Sequence, residues 1–215
     1  MKKFAIILAG SGVYDGSEIQ EAVMTMLAVV QHGGVYQSFA PDSEQHHVVN
    51  HLTGEEMPET RNVLVESARI ARGNVKNLNE LNPEDFDALV LPGGFGVAKN
   101  LCDYAFKGAD FSVIPEVEKT IHQFYKAGKP IAALCISPVI IAKVFEGATV
   151  TIGQDVSTAG HIEAVGGHHV NTGHGEVVFD EKYKVFTTPC YMLDANIEEI
   201  YQGAFNIIKA IIDLK

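Results

Sequence analysis

Cys135 follows the apolar tetrapeptide Ile131-Ala132-Ala133-Leu134 and precedes Ile136-Ser137-Pro138, after which Val139 to Phe145 takes up helical spacing. A buried strand that runs straight into a cysteine and then into a helix makes a nucleophile elbow, which pushes the side chain out at the carboxyl end of a sheet. Free N–H groups at the start of the following helix favour thiolate over thiol, so a depressed thiol pKa is expected. Pro138 suits the first helical turn, where its missing N–H would have no partner anyway. Read alone, Cys135 could equally be a small buried hydrophobe.

Two glycine loops bear on that choice. Ala88-Leu89-Val90-Leu91 reads as a strand that ends in Pro92-Gly93-Gly94-Phe95-Gly96, a loop whose backbone N–H groups can approach a ligand closely. Beside a nucleophile such a loop serves as an oxyanion hole, with the Gly94 and Ile136 N–H groups as donors and Gly93 as an accessory. The second loop, Gly10-Ser11-Gly12-Val13-Tyr14-Asp15-Gly16, leads into a helix on which Glu18 and Glu21 share a face. It is not a dinucleotide fingerprint, because Asp15 stands where the third glycine belongs. Either carboxylate could face the thiol. Glu18 lies in the first turn, more solvated and engaged with free helix N–H groups, whereas Glu21 lies deeper among Ala22, Met24 and Thr25, and burial favours Glu21 as the protonatable partner. Among the nine histidines, His47 and His51 have helical spacing, and His168, His169 and His174 cluster. No carboxylate or thiol completes a recognisable ligand set, so no metal is expected, but His169 is a candidate to reach the site.

These residues need a scaffold, and the pattern supplies one. Strand-length apolar runs at Phe4 to Ala9, Val35 to Ala40, Ala88 to Leu91, Ile131 to Leu134 and Val185 to Thr188 alternate with segments of helical period. That alternation predicts an α/β chain with a parallel sheet sandwiched by helices. Ser17 is the expected N-cap of a helix from about Glu18 to His32, ended by Gly33-Gly34, and a last helix is expected from about Ala195 to Asp213. Residues 41–80, with a helical stretch from about Glu59 to Arg72, are too many for a simple crossover and read as an insertion near the site rim or a subunit contact.

Composition narrows the function. The 215 residues, 47% of them hydrophobic, suffice for one domain with a sizeable core. A formal net charge of −11 argues against nucleic acid as a partner. No stretch approaches the roughly twenty apolar residues of a membrane span, and the short run after Met1-Lys2-Lys3 fits a strand better than a signal peptide. Cys102, Cys135 and Cys190 are widely spaced and contain no CxxC pair, which fits a reducing cytoplasm rather than a disulfide framework.

Taken together, the elbow and both glycine loops resemble the superfamily of the intracellular protease PfpI, the deglycase-like proteins and the class I glutamine amidotransferases, over nearly the whole of residues 1–215. Gly12-Val13-Tyr14-Asp15-Gly16, His51-Leu52-Thr53-Gly54-Glu55, Glu59-Thr60-Arg61-Asn62-Val63 and the stretch Leu91 to Asn100 are similar to the ElbB-like branch named for enhancing lycopene biosynthesis. The resemblance implies a flavodoxin-like sheet, a homodimer, a nucleophile at Cys135 and a carboxylate at Glu21, which matches best by its distance to Gly33, with Glu18 in reserve. It also implies a cofactor-independent glyoxalase-like activity converting small 2-oxoaldehydes to 2-hydroxy acids. The alternative is a non-enzymatic, redox-responsive regulator that influences isoprenoid biosynthesis. Ile136 stands where the proteases carry His, and neither Ala148 to Gly153 nor Thr187 to Met192 supplies one, so protease and glutaminase chemistry are not expected.

Overall fold

The computed structural model describes residues 1–214. In chain order its strands are β1 (Lys3–Ile7), β2 (Val35–Ala40), β3 (Val75–Asn77), β4 (Ala88–Leu91), β5 (Ile131–Leu134), β6 (Thr149–Val150), β7 (His168–His169), β8 (Val178–Asp180) and β9 (Val185–Thr188). The α-helices are α1 (Ile19–Gln31), α2 (Val63–Ile70), α3 (Tyr104–Lys107), α4 (Pro115–Lys126), α5 (Pro138–Val144), α6 (Val156–Ala164) and α7 (Ile197–Asp213). Seven strands form one sheet in the order β3-β2-β1-β4-β5-β9-β8, parallel except for β8, which runs antiparallel along β9. This is the helix-covered parallel sheet that the strand-helix alternation predicts, in the flavodoxin-like form that the family resemblance implies.

The central strands β4 and β5 are apolar and buried throughout because the sheet is covered on both faces. Side chains alternate with period two, so Phe4, Ile6 and Leu8 enter one core with Ala132 and Leu134, beneath α1 and α7. Ala5, Ile7 and Ala9 enter the other with Leu89, Leu91 and Ile131, against α4 and α5. Helix ends carry their own signals: Asn196 and Glu199 form a capping box on α7, and Pro115 opens α4. At α1 the cap differs from expectation. Glu18 is the N-cap residue and its side chain accepts from the Glu21 N–H, while Ser17 turns back to accept from the Ala9 N–H at 2.8 Å.

Part of the expected insertion belongs to the sheet. β3 pairs in parallel with β2, Ser38 opposite Val75, and forms the edge of the central sheet. Residues 41–62 are the true excursion, a loop closed by the bridges Glu44 to Asn62 and Val49 to Glu56. It packs against the first glycine loop: His51 Nε2 accepts from the Tyr14 N–H at 3.3 Å, and Asp15 Oδ2 accepts from the Val49 N–H at 2.7 Å.

Order reversal in the sheet puts β1 and β4 side by side with their following loops diverging, the place where doubly wound sheets open a crevice. The loops after β1, β4, β5 and β9 therefore meet at one end of the sheet.

Candidate active site

The two glycine loops are laced together by their backbones. The Phe95 N–H donates to Val13 O at 2.7 Å, Gly96 N–H to Gly16 O at 2.9 Å and Glu18 N–H to Gly93 O at 2.9 Å. This lacing brings the start of α1 beneath the loop after β4. The elbow is fixed from the other side, where the Cys135 N–H donates to Thr188 O at 3.0 Å and the Ser137 hydroxyl donates to Pro92 O at 2.8 Å. Cys135 has φ of 59°, a left-handed conformation that costs a non-glycine residue roughly 1–3 kcal/mol and persists only when its surroundings over-determine it. Glycine is required at two neighbouring positions. A Cβ on Gly93 would fall 2.4 Å from Cys135 Cβ, and Gly94 combines φ of 104° with a space already filled by the Glu18 backbone N at 2.3 Å.

Glu21 is wholly buried, and its carboxyl lies against the Cys135 thiol. Each oxygen has a backbone donor: Gly93 N–H to Oε2 at 2.9 Å and Tyr191 N–H to Oε1 at 3.2 Å. Burial first, and then the charge of Glu18, push its pKa up to about 8, against the lowering effect of those donors. Glu18, one turn earlier, is also raised by burial, held back by backbone N–H groups of the first turn. Two carboxyls with different burial separate into roles: Glu21, wholly buried and beside the charge of Glu18, holds its proton near neutrality, while Glu18 is less buried and keeps the first-turn N–H groups that favour its charged form.

A pocket of about 330 Å³ opens over the elbow, lined by Cys135, Glu18, Gly94, Ile136, Tyr104 and Met192 among others. Glu18 faces it. Glu21 does not, because it lies behind the sulfur. The Gly94 N–H faces the sulfur and, among the described residues, neither it nor the Ile136 N–H donates to a backbone carbonyl. Gly93 has a different task from an oxyanion donor, since its N–H is committed to Glu21.

The expected depression of the Cys135 pKa is not what the structure shows. Burial, the neighbouring Glu21 and the buried Cys190 all push the thiol well above its ordinary value, opposed by the Gly94 N–H. The helix after the elbow is too short and too far along to reverse this, for α5 has seven residues and begins three positions beyond the sulfur. His169 is likewise not brought to the pocket. β7 pairs with β6 in a separate two-stranded sheet, and the His169 ring accepts from the Ile152 N–H at 3.3 Å. Three residues at the site escape a linear reading. Tyr104 and its partner His161, with Oη 2.9 Å from Nδ1, come from α3 and α6, and Tyr191 follows β9. The pairing of β9 beside β5 was the available signal for Tyr191 and Cys190, since it forces their loop to end next to the elbow.

A parallel sheet carrying a cysteine at a strained elbow beneath a glycine loop defines a class I glutamine amidotransferase-like fold. The chain belongs to the DJ-1/PfpI family, whose pattern matches residues 62–195. It is 41% identical to the rat protein named ES1 protein homolog, mitochondrial, over 99% of this chain and 84% of that protein. The identity is again 41% to the human glutamine amidotransferase-like class 1 domain-containing protein 3, mitochondrial, over 99% and 83%. A crystal structure of an isoprenoid biosynthesis protein with amidotransferase-like domain from Ehrlichia chaffeensis superposes with a TM-score of 0.93 at 39% identity, covering 99% of both chains. A shorter match, 35% identity over 38% of this chain and 46% of the relative, is to a deglycase of Thermococcus kodakarensis, so the family includes deglycases. The expectation of a cytoplasmic protein is corrected by these relatives: the rat, human and zebrafish proteins are all named as mitochondrial and point to that compartment instead.

Proposed function

We propose that this protein is a cofactor-independent glyoxalase-like enzyme that converts small 2-oxoaldehydes, such as methylglyoxal and glyoxal, to 2-hydroxy acids. The observation that carries the reading is the pair of carboxyls around one sulfur: a protonated Glu21 behind Cys135 and an ionisable Glu18 in front of it, facing the pocket. Sulfur adds to the aldehyde carbon while the thiol proton passes to the aldehyde oxygen, which the Gly94 and Ile136 N–H groups hold. The product is a hemithioacetal. The Glu18 carboxylate then takes the hydrogen from that carbon and returns it to the adjacent one, while the hydroxyl proton of the hemithioacetal passes to the neighbouring carbonyl oxygen, giving the thioester of the 2-hydroxy acid. Water cleaves the thioester; the Glu21 O–H protonates the departing sulfur, and the proton lost by water restores Glu21. Burial and the family resemblance favour Glu21 as the acid–base partner of the thiol; its place behind the sulfur, with both oxygens occupied, favours Glu18 for the carbon-to-carbon step.

The reading is tested by incubating the protein with methylglyoxal or glyoxal, without glutathione or metal, and separating products by chromatography. Lactate or glycolate formation supports it, and aldehyde consumption without hydroxy acid sinks it. A second reading, a redox-responsive regulator, draws support from the same Glu21, whose proton could bond to a sulfinic acid at Cys135. The isoprenoid description of the Ehrlichia protein and the lycopene-branch motifs lean the same way without supplying a chemical step. The two separate by whether the reduced protein turns over aldehyde.

A further inference from the structure

The pocket that Cys135 lines also holds one member of a second polar pair that the chemistry above does not use. Tyr104 opens α3 and lines the pocket, and its hydroxyl is 2.9 Å from Nδ1 of His161 on α6. The imidazole is fixed in place. It meets the Tyr104 ring edge-on, with centroids 5.7 Å apart, and lies against Gly108, where a Cβ would come 3.3 Å from Cε1. Thr158 and Asp155 line the same wall, and Asp155 accepts from the Thr158 N–H at 2.7 Å to cap α6. Burial raises the Tyr104 pKa, so the phenol keeps its proton and remains a donor.

We propose that Tyr104, held by His161, binds the second oxygen of a 1,2-dicarbonyl substrate whose aldehyde carbon is captured by Cys135. This deepens the glyoxalase reading and rests on it for the identity of the reacting carbon. With the Nδ1 proton on His161 donated to Tyr104 Oη, the phenol O–H points its own proton at the carbonyl next to the captured carbon. As Glu18 withdraws the hydrogen, charge grows on that carbonyl oxygen and the hydrogen bond strengthens; the oxygen then takes the proton of the hemithioacetal hydroxyl as the adjacent carbon takes the hydrogen back, with no net transfer from Tyr104. Tyr104 touches substrate, and His161 is a positioning residue. The rest of the wall fixes the class of substrate. Val13, Ala98, Ala105 and Met192 are apolar, two carboxylates line the pocket and no Lys or Arg does, so a neutral dicarbonyl with a short apolar substituent fits and a phosphorylated or carboxylate-bearing one is repelled.

The test compares hemithioacetal formation at Cys135 with methylglyoxal and with propanal, which lacks the second carbonyl, followed by carbon NMR of aldehyde labelled at the reacting carbon. The wild type is expected to prefer methylglyoxal, and Tyr104→Phe to lose roughly tenfold of that preference, the worth of one hydrogen bond, with propanal binding unchanged. His161→Phe should reproduce the loss, and His161→Gln, which keeps a hydrogen-bonding partner for the phenol, should restore part of it. A wild type without preference, or a Tyr104→Phe protein with the same preference, overturns the proposal. Adduct preference without release of lactate would instead sink the glyoxalase reading and leave the dicarbonyl site standing, so the two failures are distinct.

Discussion

Glu21 and Cys135 converge on the same missing methyl group: a Cβ on Gly93 would lie 2.6 Å from Glu21 Oε2 and 2.8 Å from Cys135 Sγ. The loop after β4 is thus the spacer that lets a buried carboxyl and a buried thiol share one small volume. Gly93→Ala is expected to push them apart, destabilising the protein by about 1–3 kcal/mol through overpacking and lowering turnover of 2-oxoaldehydes roughly a hundredfold through displacement of the sulfur. Denaturant unfolding and steady-state rates measured on one preparation check this; a fully active, fully stable variant would contradict the packing.

Sulfur reactivity follows from the raised thiol pKa. At a given pH a raised pKa leaves less thiolate, so Cys135 should alkylate more slowly than a free cysteine near neutrality and accelerate steeply as the pH rises past about 8.5, the ordinary thiol value. It should still label ahead of Cys102 and Cys190, because of the three only Cys135 lines the pocket. Peptide mapping after brief iodoacetamide treatment across a pH series reads both points. Rapid labelling of Cys135 near pH 6 would show that the surroundings favour the thiolate after all.

Glu21 should leave a signature in stability against pH. Its native pKa of about 8 exceeds the ordinary 4.5, so above 4.5 the unfolded chain gives up a proton that the native state retains. The stabilisation is complete below the ordinary value and is lost as pH rises through the native one, with a total on the order of several kcal/mol. Wild type should therefore weaken between about pH 5 and about pH 8 in urea unfolding, and Glu21→Gln should weaken less over the same range. Gln offers one acceptor to two N–H donors, so its baseline lies lower; the slope is the readout. Parallel slopes would mean that Glu21 is ionised in the native protein.

Glu18→Gln separates the two carboxyls. The variant should still form the hemithioacetal at Cys135 but turn it over roughly a hundredfold more slowly, the low end for loss of a positioned acid–base group. Burst measurement of adduct against lactate release distinguishes this from loss of binding. Unchanged turnover would return the proton-transfer role to Glu21.

Much of this site was legible along the chain because its parts lie at strand ends, where short apolar runs announce themselves. Ile131 to Leu134 delivers Cys135, Ala88 to Leu91 delivers Gly93 and Gly94, and position along the helix, not the face, sets Glu21 apart from Glu18 as the deeper of the two. What stayed hidden depends on contacts without a local pattern. β3 is three residues long and not fully buried, so residues 75–77 carry no strand periodicity. Tyr104 and His161 are 57 positions apart, and the four-residue helix that presents Tyr104 follows a π-helical stretch at Val97–Leu101. The direction of the thiol pKa is not legible in the sequence because it is set first by burial and then by Glu21 and Cys190, which reach the sulfur from α1 and from the loop after β9.

The central claim is that Cys135 forms and breaks the bond to the aldehyde carbon, and the most direct measurement is glutathione-free conversion of methylglyoxal to lactate by the wild type and by Cys135→Ser, with folding of both confirmed by circular dichroism. The account predicts lactate from the wild type and a loss of at least roughly a thousandfold in the variant, as for removal of a covalent nucleophile. Equal rates from the two proteins would contradict it.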